Sequence, residues 1–80
     1  MGKIYNLRQI NEFREKLYQC VLDLGGDEDD AKSICVFEDM VIGGNYGSPD
    51  RKATKKEAMQ VWSEIMEFNT PESYAYIMTM

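Results

Sequence analysis

Apolar residues recur at three- and four-residue steps through Leu7, Ile10, Phe13, Leu17, Cys20, Val21 and Leu24. That spacing lines them along one face of a helix. Arg8, Glu12, Glu15, Lys16 and Asp23 fall largely elsewhere. Glu12 and Lys16 stand four apart, as a helical ion pair requires. Asn6 is placed to cap the start, and Gly25-Gly26 to stop the end. The pattern predicts a helix over Leu7–Leu24.

The next stretch supports two readings. Asp27-Glu28-Asp29-Asp30 suits a helix N-terminus, where carboxylates oppose the positive end of the macrodipole, and Gly43-Gly44 supplies a stop. This predicts a helix over about Glu28–Ile42. Yet Ile34, Cys35, Val36, Phe37, Met40, Val41 and Ile42 point all round a helical wheel. Such a helix must be buried on every side, which a small domain can rarely arrange. The rival is a β-hairpin at about 34–42, pairing Ile34–Phe37 with Met40–Ile42 and turning at Glu38-Asp39. That turn lacks the glycine that tight hairpins favour.

Residues 43–53 read GGNYGSPDRKA, a loop by composition and long enough in so small a chain to invite a functional role. Thr54-Lys55-Lys56-Glu57 is a capping box. It starts a helix over Lys55–Phe68 whose apolar side is Ala58, Val61, Trp62, Ile65, Met66 and Phe68. Thr70 caps a last short helix, Pro71–Met78, with Pro71 at its first position. The expected fold is mainly α, a compact bundle of three to four helices, with α+β containing a central hairpin at about 34–42 as the alternative. No repeat or linker divides the chain, so residues 1–80 form one small globular domain.

Length sharpens this picture. A chain of 80 residues buries only about 60–65% of the surface its unfolded form exposes. A partner or a second copy often supplies the missing stability. Tyr74, Tyr76, Ile77, Met78 and Met80 crowd the C-terminus, where they serve either the core or an interface, including that of a homodimer.

Charge and chemistry narrow the function. Net charge is −5, with 14 acidic and 9 basic residues and no histidine. The commonest general base and metal ligand is therefore missing. Cys20 and Cys35 lack an activating partner, and their spacing is neither a CxxC nor a zinc pattern. They read as buried thiols in a reducing cytoplasm, the expected location. No signal peptide or membrane span is visible. The chain is expected not to be an enzyme and to carry no cofactor and no metal. Calcium is tested by counting from Asp27: Asp27, Asp29 and Glu38 suit an EF-hand, but Ala31 and Lys32 fill positions five and six.

Two binding surfaces remain. Asp27, Glu28, Asp29, Asp30, Glu38 and Asp39 would meet a protein with a basic surface. In size and acidity the chain resembles the small inhibitors that phages direct against host defence nucleases, anti-CRISPR proteins among them. That likeness rests on no residue motif, and it implies inhibition of a nucleic-acid-binding host protein. Alternatively, Arg51, Lys52, Lys55 and Lys56 precede and open a helix where the dipole disfavours cations, so a bound phosphate would relieve them. Tyr46 is available to stack on a base. Gly44-Asn45-Tyr46-Gly47 has the GxxG spacing of the loop that clamps nucleic acid in KH domains, but Pro49 stands where a helix should run. Overall acidity ranks nucleic acid below a protein partner. A third expectation is a non-catalytic homo-oligomeric accessory subunit.

Overall fold

The computed structural model describes residues 3–43, 47 and 49–80. Among these the elements are α1 (Leu7–Asp23), α2 (Glu28–Ile34), β1 (Val41–Ile42), β2 (Arg51–Lys52), α3 (Lys55–Phe68) and α4 (Pro71–Thr79). The fold is mainly α with a small antiparallel hairpin.

The central element is α1. Its stripe of Ile10, Phe13, Leu17 and Val21 is buried, and α2, α3 and α4 all pack on this helix. Asn6 forms a full capping box with Gln9. The helix ends where Gly25 takes φ +96°, a conformation a side chain would oppose. The amide N–H groups of Gly25 and Gly26 then donate back to the carbonyls of Leu22 and Val21, satisfying orphan acceptors of the last turn. Leu24, expected on the buried face, is half exposed. The first-turn ion pair is Arg8–Glu12 at 3.4 Å, rather than Glu12–Lys16, and it is exposed.

The second helix departs most from expectation. It stops at Ile34, with Cys35 as its C-cap, instead of running to Ile42. Continuing would have turned part of an all-round apolar surface to water. Instead the chain leaves the helix so that Cys35 and Phe37 both enter the core. The carbonyls this frees do not go unpaired. Cys35 C=O accepts from Arg14 Nε at 2.8 Å, and Val36 C=O accepts from Trp62 Nε1–H at 2.9 Å.

The hairpin also differs from the one considered at 34–42. Val41 pairs with Lys52 and Ile42 with Arg51, and Ala53 N–H donates to Met40 C=O at 2.8 Å. The partner of 41–42 is thus the end of the segment expected to be loop, not Ile34–Phe37.

Both later helices start as their caps predict. Thr54 and Glu57 form the capping box of α3, and Thr70 caps α4 with Pro71 in the first turn. From α3, Trp62 is almost wholly buried. Its ring makes T-shaped contacts with Phe13 and Tyr74, the ring centres 6.2 and 6.4 Å apart, geometry that aromatic pairs favour. Beside it lies Ser63, a buried polar residue. Its Oγ accepts from Tyr5 N–H at 2.8 Å and donates to Met59 C=O at 2.6 Å, tying the N-terminal segment to α3. Phe68, expected on the apolar side, is 79% exposed.

Ser63→Ala removes the acceptor for the Tyr5 amide. We expect a loss of about 1–3 kcal/mol, the usual cost of a buried group left unsatisfied. Urea denaturation measures it, and faster hydrogen exchange at Tyr5 identifies the cause.

Candidate functional site

The acidic surface is built on α2. Asp27 is the N-cap, its carboxylate accepting the Asp30 amide at 2.8 Å. Glu28, Asp29 and Asp30 fill the first turn, where the helix dipole favours them. All four residues are exposed, and none has an ion pair among the described residues. Glu38 and Asp39 do not join them. They follow the opposite end of the helix, and Asp39 is engaged by Lys52 at 3.3 Å. Asp30 also borders a hollow of about 420 Å³ that includes Leu24, Ile34 and Met78. The acidic turn therefore adjoins partly exposed apolar side chains.

Half of the basic cluster is paired within the chain. Arg51 forks onto Glu57, with Nη1 donating to Oε1 at 2.7 Å and Nη2 to Oε2. That bond, followed by the one from the Thr54 amide, pulls the Glu57 carboxyl down to about 2, and the same contact raises Arg51. The start of α3 thus already holds an anion, and it is the chain's own. Lys52 is committed to Asp39. Lys55 and Lys56 are exposed without an ion pair among the described residues. Tyr46, and with it most of the GxxG stretch, lies outside the described residues.

The thiols are poor nucleophiles. Both are free. Burial pushes Cys35 up to about 11, partly opposed by Arg14. Cys20 is raised as well, by desolvation first and then by Glu72 and Asp23. Nucleophilic chemistry needs the thiolate. Among the described residues, no group of three or more His, Cys, Asp or Glu is placed to hold a metal ion, and no helix is long and apolar enough to cross a membrane.

The C-terminal apolar residues divide between core and surface. Ala75 is buried and Tyr74 half-buried, its hydroxyl pKa raised by desolvation. Tyr76, Ile77, Met78 and Met80 are exposed.

One concavity escaped the sequence reading. An open cleft of about 800 Å³ lies between α1 and residues 35–39, with Arg14, Lys32 and Lys55 among its lining. Arg14 had no distinguishing signal in the sequence, because its partner Cys35 C=O is a backbone group 21 residues away.

Compared with known proteins, the chain matches no protein-family model, no curated protein and no solved structure.

The Arg51–Glu57 contact has a definite pH signature. The folded carboxyl sits low, at about 2, against 4.5 ordinarily. Its stabilisation is present above 4.5 and disappears as pH falls through 2. The melting-temperature gap between wild type and Glu57→Gln should be constant above about pH 5, close toward pH 2 and shrink with added salt, because the pair faces solvent.

Proposed function

We propose that this chain is a protein-binding module that docks on a basic surface of its partner through the acidic first turn of α2. The observation that carries this reading is an asymmetry. Asp27, Glu28, Asp29 and Asp30 are exposed and free of ion pairs among the described residues. Of the basic cluster, by contrast, Arg51 and Lys52 are already paired within the chain, leaving only Lys55 and Lys56. Carboxylates held at a helix start cannot satisfy one another, so a cationic partner can approach without breaking an ion pair within the chain. The neighbouring Leu24, Ile34 and Met78 add the apolar contact that a charged rim alone lacks.

We read the module as non-catalytic, a view supported by the lack of histidine and by two thiols held protonated at neutral pH. Free thiols also suit a reducing cytoplasm. A nucleic-acid-binding protein offers the basic surface required, and an inhibitor of the anti-defence kind, anti-CRISPR-like in action, is the finer form of the proposal. A second copy of the chain is a further partner we propose. Tyr76 and Ile77 on α4 and Met80 just after it are exposed, whereas Ala75 is buried, and the three would form that contact.

The test is capture of partners by tagged protein after nuclease treatment of the lysate. The variant Glu28→Gln, Asp29→Asn, Asp30→Asn keeps the Asp27 cap and hence the helix. It should lose its captured protein, with affinity down at least about tenfold for close charge pairs. Unchanged capture by the variant, or capture that vanishes with nuclease in the wild type, contradicts the reading. Light scattering of the free protein decides between monomer and dimer.

A further inference from the structure

Basic residues that the sequence groups at 51–56 are separated by the fold, and one of them meets cations from elsewhere. Arg14 of α1, Lys32 of α2 and Lys55 of α3 line the same 800 Å³ cleft. In a chain of net charge −5, convergence of cations from three helices on one concavity runs against the average. None of the three has an ion pair among the described residues. On the rim, Asp39 is already engaged by Lys52. Lys55 also stands in the first turn of α3, where the helix dipole disfavours a cation.

Arg14 is fixed before any ligand arrives. Its Nε donates to Cys35 C=O at 2.8 Å and its Nη1 to Asn11 Oδ1 at 2.9 Å. The guanidinium carbon lies 5.4 Å from the centre of the Phe37 ring. Nη2 is left with no partner among the described residues. A guanidinium held in this way binds an oxyanion with little further loss of side-chain freedom. Beyond it, a second hollow of about 410 Å³ shares Arg14 and Tyr18 with the cleft.

The remaining lining joins apolar Leu7, Val36, Phe37 and Ala53 to polar Asn11 and Tyr18, and Glu38 adds one carboxylate beside Asp39 against the three cations. Along α1 the wall from Leu7 to Tyr18 is about 16 Å long at 1.5 Å per residue. The volume falls among those of small-molecule sites, roughly 300–1,000 Å³. We infer that this cleft binds a small organic oxyanion, a carboxylate or a phosphate carried on an apolar body. Arg14 orients the anion, Lys32 and Lys55 raise the local positive potential, and the Leu7–Val36–Phe37 wall covers the body. This site is separate from the acidic turn of α2, and neither depends on the other.

The test is an amide NMR titration of the whole chain with phenyl phosphate, benzoate and, as the neutral control, phenol. Phenyl phosphate or benzoate should give saturating shifts at residues 11–18 and 32–39, with phenol far weaker. A response to phenyl phosphate alone assigns a phosphate ligand, and one to benzoate alone a carboxylate. Arg14→Gln should weaken binding at least about tenfold, as loss of a charged hydrogen bond does. Because Arg14 also holds Cys35, the surface pair Lys32→Gln, Lys55→Gln provides a second variant that leaves the core intact, and it should weaken binding several-fold. No saturation at millimolar probe, phenol binding equally well, shifts centred elsewhere, or full affinity in the lysine pair each overturns the proposal.

Discussion

A buried tryptophan must find an acceptor for its indole N–H, and much of this fold follows from where Trp62 finds one. Val36 C=O provides it at 2.9 Å. A carbonyl in mid-helix is already committed to the amide four residues on, so Val36 can serve Trp62 readily only if α2 has ended. Arg14 takes the adjacent carbonyl of Cys35 in the same way. With the backbone out of the helix, Phe37 turns into the core and the chain reaches Met40 ready to pair with residues 51–53. The cleft beside α1 exists because a loop, not a helix, lies along that side. Two side-chain-to-backbone bonds thus link core packing, the hairpin and the cleft beside α1.

Charge is distributed by a related logic. The acidic helix starts of α2 and α3 both gain from the macrodipole, yet they end up different. At α3, Glu57 is drawn into Thr54 and Arg51 and becomes internal structure. At α2, the carboxylates face solvent with only the Asp27 cap satisfied within the chain. An exposed pair such as Arg51–Glu57 adds little stability. Its main consequence is to withdraw a cation and a helix terminus from the anion-binding surface, while the net charge of the chain stays the same.

What the sequence made legible was mostly local. Caps at Asn6, Thr54 and Thr70, the acidic helix start at Asp27-Glu28-Asp29-Asp30 and the stripe Ile10, Phe13, Leu17, Val21 are near-neighbour patterns, and the structure contains all of them. The end of α2 was not legible, because the donors that bind the Cys35 and Val36 carbonyls, Arg14 Nε and Trp62 Nε1, lie 21 and 26 residues away. Nor was the hairpin's register legible, because the pairing of Val41 with Lys52 crosses a segment with no hydrophobic alternation to signal it. Among site residues, adjacency in sequence misled. Lys52 and Lys55 lie three apart but serve different contacts, whereas Arg14, Lys32 and Lys55 share a cleft that no linear spacing reveals.

The central claim is that the acidic turn of α2, not the basic segment before α3, is the docking surface. Hydrogen exchange of the chain, free and bound to its captured protein partner, tests it most directly. The account predicts that binding slows exchange across residues 27–34 and leaves 51–57 as in the free protein. Protection confined to 51–57, with α2 unchanged, would contradict it.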